Sequence, residues 1–182
     1  MNLDRLWKLT KEDRESFKES ENLYFDCIGL NLFKAIQNFE YWCTPTNSIT
    51  FASTGGDGVH FGLLCEDGKI DDNCPIVMTM PSAYTPNMIV GENFLEFLSL
   101  GCRCGFFTLE QIEYDPKEQI ALLDSKKYPQ EIEAKEMELL KSIENEFMLK
   151  PWSNHSARLD ELKEKYLDTL KYSDEYYEIS SE

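Results

Sequence analysis

Apolar positions along the first stretch of the chain fall at helical spacing. Leu3, Leu6 and Trp7 share one helical face, and Thr10 with Asp13 makes a capping pattern for a following turn that carries Phe17. After Gly29, Leu30, Phe33, Ile36 and Gln37 repeat at the same spacing and predict a second helix, ended at Trp42-Cys43-Thr44-Pro45. From Ile49 the period drops to two. Ile49, Phe51 and Ser53 alternate with Thr50 and Ala52, and Val59, Phe61 and Leu63 alternate with His60 and Gly62, which predicts a hairpin. Its turn is Gly55-Gly56-Asp57-Gly58, rich in residues that tolerate positive backbone φ. Asp67-Gly68 marks a further turn, Ile76 to Met80 a third strand, and Met88 to Val90 a fourth.

Helical spacing returns at Glu92 to Leu100, with Phe94, Phe97 and Leu98 on the inner face and Gly101 as the expected terminator. Thr108-Leu109-Glu110-Gln111 has the form of a capping box for a short helix. Beyond Asp115, Ile132, Glu136, Leu139, Ile143 and Phe147 form one stripe; Leu159, Leu162, Tyr166 and Leu170 form another after the break at Pro151. The expected architecture is α+β: a small, mostly antiparallel sheet flanked by helices, with a C-terminal helical hairpin covering the sheet or extending beside it.

Composition agrees with a packed core. Hydrophobic residues are 42% of 182, and 11 Phe, 9 Tyr and 3 Trp argue against disorder despite the charge content. Asp4 and Arg5 interrupt the first ten residues, so no signal-peptide core is expected there, and no run approaches the roughly 18 apolar residues of a membrane span. The expected compartment is cytoplasmic, which makes the six cysteines thiols.

The formal charge of −16 is unevenly spread: residues 1–40 carry −2, residues 41–109 carry −5 and residues 110–182 carry −9. Between Tyr41 and Leu109 the only basic side chains are Lys69 and Arg103, leaving carboxylates without cations nearby in sequence. That composition opposes binding to nucleic acid or to anionic lipid and favours a basic protein partner.

Candidate chemistry is sparse. The glycine loop lacks the spacing and lysine of a phosphate-binding loop and precedes a strand, so it reads as a hairpin turn. His60 with Asp57 has the elements of an acid and its orienter, but no nucleophile can be assigned to the pair, and a histidine bonded for structural reasons is the commoner case. Cys65, Cys74, Cys102 and Cys104 would supply four thiolates for zinc, yet no C-x-x-C occurs and His60 and His155 are isolated. Glu66, Asp67, Asp71 and Asp72 form an acidic loop whose ligand order does not match a calcium-binding hand, leaving a solvated loop or a surface for something basic. No cofactor and no metal is expected; Asp57, His60, Glu66, Asp67, Asp71 and Asp72 are the candidate partner-binding residues.

The segments Trp42-Cys43-Thr44-Pro45-Thr46-Asn47 and Phe51-Ala52-Ser53-Thr54-Gly55-Gly56-Asp57-Gly58-Val59-His60-Phe61-Gly62, with Pro75-Ile76-Val77 and Ile89 to Leu98, resemble a bacterial branch of the SUKH superfamily. That superfamily is named partly for a fungal cell-wall assembly regulator. The resemblance spans roughly residues 41–112 and divides the chain into a SUKH-like core, residues 1–113, and an acidic helical extension, residues 114–182, packed on it as one domain. It implies a sheet flanked by helices and a non-enzymatic role: an immunity or antitoxin-type protein that neutralises a toxin, often a nuclease. No residue-level site carries over, because such proteins bind through variable surfaces. The alternatives are a regulatory scaffold of the cell-wall-regulator kind and, from another class, a hydrolase using His60 and Asp57.

Overall fold

Five strands follow one another in sequence and in space, each antiparallel to the last: β1 (Asn31–Gln37), β2 (Ser48–Ser53), β3 (His60–Leu64), β4 (Ile76–Thr79) and β5 (Asn87–Gly91). The computed structural model describes residues 1–16, 25–65, 68–125 and 132–180. β3 and β4 are buried along their whole length, so alternation here sorts side chains between two covered faces. Phe51, Phe61, Leu63, Ile76, Met78 and Val90 belong to the larger core on one face. Leu64, Val77 and Ile89 belong to a smaller core on the other.

The helix expected over residues 30–37 is strand β1. Leu30 and Leu32 are buried at strand period, but the pairing with β2 shifts register between Leu32 and Gln37. That irregularity moves the later apolar positions out of phase, so a seven-residue strand acquires the spacing of a helix.

The larger core is a stack of phenylalanines brought down by α2 (Phe94–Cys104), whose N-cap Asn93 accepts the Glu96 N–H at 3.0 Å. The Phe97 ring lies 5.0 Å from Phe61 and 5.2 Å from Phe106. Gly101 does not end this helix, which runs on to Cys104 and stops at Gly105. The glycine is there for close approach: a Cβ at position 101 would stand 2.0 Å from the buried Phe106 ring. The expected capping box after it does not form either. Thr108 donates to the carbonyls of Cys104 and Gly105, and residues 107–110 wind as a 3-10 turn into α3 (Gln111–Tyr114).

At the N-terminus, α1 (Asn2–Ser16) is continuous, and Thr10 donates back to the Trp7 carbonyl instead of capping a new turn; Phe17 lies outside the described residues. α1 places Leu3 and Leu6 in the larger core, with Arg5 bonded to Glu146. α4 (Pro116–Asp124), which the apolar spacing did not reveal, starts with proline in its first turn behind the Asp115 cap.

The two C-terminal stripes form α5 (Ala134–Phe147) and α6 (His155–Tyr166), and each takes its own surface. α5 opens with a capping box between Glu133 and Glu136, then packs Leu139, Leu140, Ile143 and Phe147 into the larger core against α2. α6 packs on β5 and brings Leu162, joined by Leu170, onto Val77 and Ile89 at the opposite face. Backbone bonds link Thr46 to the Lys171 carbonyl, and α7 (Asp174–Ser180) stacks Tyr176 against Trp42. Among the described residues no helix is long and apolar enough to cross a membrane.

Leu162 is completely buried in the smaller core. Leu162→Ala is expected to lower unfolding free energy by about 3 kcal/mol in a urea titration, and Gly101→Ala to destabilise by about 2 kcal/mol through overpacking against Phe106. A near-zero effect at Leu162 would make α6 a dispensable appendage.

Candidate functional site

The six expected site residues fall at different places. The β2–β3 turn and the β3–β4 loop leave opposite ends of β3, so Asp57 and the pair Asp71, Asp72 are separated by the length of the sheet. Glu66 and Asp67 lie outside the described residues. Asp72 is tied inward: its carboxylate accepts the Asn2 N–H at 2.6 Å, and its carbonyl accepts the Phe94 N–H. Asp71 accepts the Asn73 N–H at 2.7 Å.

His60 is 1% exposed and lies on the smaller-core side of the sheet beneath Phe39 and Tyr41, whose rings sit 5.2 and 5.6 Å away. Its Nδ1–H donates to the Gly58 carbonyl at 2.7 Å, while Nε2 faces the Thr44 hydroxyl at 3.1 Å. Both nitrogens are engaged without Asp57, and burial pushes the imidazole below its ordinary pKa. A neutral ring thus fixes the segment carrying Tyr41 and Thr44 to the sheet. Asn87 does the same nearby, donating to the Cys43 carbonyl and accepting from Thr79.

The second histidine is not isolated. His155 Nδ1 meets the Asp124 carboxylate at 2.6 Å and its ring stacks on Trp152, whose indole N–H donates to the Glu96 carbonyl. His155 holds the Asp124 carboxyl below the usual carboxylate range and joins α4 to α6.

The cation-poor middle of the chain is partly neutralised from a distance. Arg158 of α6 bonds Glu92 at 2.6 Å and Glu96 at 2.7 Å, and also reaches Glu161. Lys165 and Tyr166 complete the cluster on Glu92. Lys165, then Arg158 and Tyr166, hold the Glu92 carboxyl down to about 2. A shallow groove of about 480 Å³ beside it is lined by Glu96, Trp152 and Arg158, groups already committed to each other.

A different situation holds at the end of the sheet formed by the β2–β3 turn, the β4–β5 loop and α3. Asp57 is exposed at the tip of the turn in a left-handed conformation, φ 48°, and Tyr41 covers Gly58 so closely that a Cβ there would lie 2.8 Å from its ring. Glu113 accepts the Thr85 N–H at 3.1 Å and so fixes the β4–β5 loop, on which Tyr84 is fully exposed. Tyr114 is 52% exposed, and Phe107 and Tyr41 also present apolar surface. No ion pair reaches Asp57, Glu110 or Glu113 among the described residues. Burial and then the charge of Asp57 raise the Glu110 pKa, and Tyr114 is raised by burial and by Glu110, Glu113 and Asp57. Negative charges here repel one another. Beside Thr85 and Glu113 opens a pocket of about 250 Å³, floored by Met88, Ile112, Ile120 and Leu159.

Among the described residues, Asp57 is the one expected site residue exposed at this surface. The aromatic members were missed because their positions, in a 3-10 turn, a short helix and loops, follow no period; Tyr41, Phe107 and Tyr114 close to carboxylates in the sequence were the available signal.

The four cysteines considered for zinc do not converge. Cys65 and Cys74 approach each other at the end of β3, whereas Cys104 sits at the end of α2 bonded by Gln119. Among the described residues no three His, Cys, Asp or Glu side chains are grouped to hold a metal ion. No protein-family model, no characterised protein and no solved structure matches the chain.

The Glu92 cluster makes a pH prediction. Its carboxyl pKa is depressed from 4.5 to about 2, so its contribution to stability is complete above pH 4.5 and is lost as pH falls toward 2. Arg158→Met is expected to cost about 2 kcal/mol at pH 7, and Glu92→Gln to flatten the stability loss between pH 4.5 and 2. Denaturant titrations across that range measure both, and an unchanged acid slope in Glu92→Gln would remove the cluster from the stability of the fold.

Proposed function

We propose that this chain is a non-enzymatic, immunity-type protein that binds and neutralises a basic protein toxin. Its contact surface is the sheet end that carries Asp57, Tyr84, Glu110, Glu113 and Tyr114. The observation that carries this reading is the combination, on one surface, of exposed tyrosines with carboxylates that have no ion-pair partner among the described residues. Tyrosines supply large contact area at small entropic cost, and unpaired carboxylates steer a cationic partner and reject anionic ones. The adjoining apolar pocket offers a seat for one side chain of the partner. The resemblance of residues 41–112 to SUKH immunity proteins points the same way.

A nuclease toxin fits this chemistry. Its cleft must attract phosphates and is therefore basic, and an acidic surface seated over the cleft excludes substrate. The regulatory-scaffold alternative would use the same surface for a resident partner, and retention of that partner in cells lacking any toxin would separate the two.

The test is to express each gene neighbouring this one alone, to co-express any that kills cells with this protein, and to measure binding on that pair; if no neighbour kills, the function is overturned. Tyr84→Ala and Tyr114→Ala are each expected to weaken binding about thirtyfold. Asp57→Lys should slow association and reduce its dependence on salt, since the screening length is about 8 Å at physiological strength. Asp71→Lys, at the opposite end of the sheet, should leave both unchanged. Equal loss from Asp71→Lys would overturn the surface, and a toxin that kills despite this protein would overturn the function.

A further inference from the structure

Cys65 and Cys74 occupy the position at which the β3–β4 ladder continues beyond its last assigned pair. The register His60↔Thr79 to Leu63↔Ile76 extends through the bond from the Leu64 N–H to the Pro75 carbonyl, 2.8 Å, which sets Cys65 opposite Cys74. Leu64 and Pro75 make a hydrogen-bonded pair lacking only the donor that proline does not have. The next pair is therefore a non-hydrogen-bonded one, in which facing Cα atoms stand about 4.5 Å apart, within the roughly 4.4–6.8 Å spanned by disulfides. The two sulfurs are 3.9 Å apart in van der Waals contact. Both residues are buried, at 6% and 8% exposure; the backbone of Lys69 and Asp71 partners the Cys74 sulfur and that of Leu63 the Cys65 sulfur.

We propose that Cys65 and Cys74 are a redox-active thiol pair that closes to an intramolecular disulfide on reaction with a small-molecule disulfide, cross-linking the adjoining ends of β3 and β4. Cys74 is the first nucleophile. Its sulfur accepts the Asp71 N–H at 3.3 Å and meets the Lys69 carbonyl at 3.5 Å, whereas the Cys65 sulfur is bonded to the Leu63 carbonyl of its own strand. Burial, and then the neighbouring Cys74, push the Cys65 thiol up to about 12. The Cys74 thiolate attacks one sulfur of the oxidant RSSR, releasing RS⁻ and leaving a mixed disulfide. Cys65 gives its proton to the released thiolate and attacks the Cys74 sulfur, displacing the second RS⁻, which takes up the proton Cys74 had lost. One RSSR and two protein thiols become one protein disulfide and two RSH.

The disulfide would act where the loop already holds other elements. The Asp72 carboxylate receives the α1 N-terminus and its carbonyl receives the first N–H of α2. This end of the sheet is the one opposite the proposed contact surface, so the two assignments stand or fall separately.

The test is incubation of the folded protein with oxidised glutathione, followed by alkylation of remaining thiols under denaturing conditions and peptide mapping. Wild type is expected to lose the mass of two hydrogens, to retain four of its six alkylatable thiols, and to yield a peptide pair joined through Cys65 and Cys74. Cys65→Ser should stop at a glutathione adduct on Cys74, and Cys74→Ser should leave Cys65 unmodified over the same interval. Retention of all six thiols by wild type, a disulfide at another pair, or a lasting adduct on Cys74 without closure would each overturn the proposal, and none of these readings depends on the variants folding.

Discussion

A sheet that is apolar on both sides has to be covered twice, and this requirement organises the chain. The first cover is partly local: α2 follows β5 directly and drives Phe94 and Phe97 into the phenylalanine stack. The second comes from far away. α6 lies more than sixty residues beyond β5, yet Leu162 closes on Val77 and Ile89, strands that would otherwise show their backs to water. Burying such surface is worth about 25 cal/mol per Å² of apolar area, which favours a single cooperative unit over a core with an appendage.

That long-range closure explains the electrostatics. α6 carries Arg158 and Lys165 on the face that meets β5 and α2, so these two distant cations are spent on Glu92 and Glu96. Counting charges along the sequence suggested a uniformly uncompensated middle segment. Folding divides it, quenching Glu92 and Glu96 at the start of α2 and leaving Asp57 of the β2–β3 turn, beside Glu110, without an ion pair among the described residues. Unquenched charge therefore becomes a property of one surface, and that localisation gives the charge argument its direction.

Much of the fold was legible where local pattern and tertiary context agreed. The hairpin through Gly55 to Gly58, the strands at Ile76 and Met88 and helices through Leu139 to Phe147 and Leu159 to Tyr166 appear as their periods require, while Ile132 and Leu170 at the ends of the two stripes fall outside the helices. Legibility failed where a local signal had two physical causes. Gly101 resembles a helix stop, but its missing side chain makes room for Phe106. Thr108 has the form of a cap, but its hydroxyl turns back to the carbonyls ending α2. In β1 a register shift disguised a strand as a helix. Of the candidate site residues, His60 was placed on the correct strand face, yet sequence did not reveal that Phe39, Tyr41 and Thr44 would seal it from solvent.

The two ends of the sheet differ in physical character. At one, carboxylates stand without ion pairs among the described residues beside exposed tyrosines, and a left-handed Asp57 holds the turn in a shape that projects its carboxylate outward. At the other, carboxylates are spent on backbone donors, and two thiols face each other where the ladder runs out of hydrogen bonds. A residue held in an uncommon backbone conformation, beside groups that repel one another, costs free energy that packing elsewhere must offset. The doubly covered sheet supplies that surplus, because strands buried on both faces resist deformation at their ends. A rigid platform can hold an electrostatically unfavourable surface intact until a partner of opposite charge relieves it, and this is the physical sense in which the interior of the molecule serves its exterior.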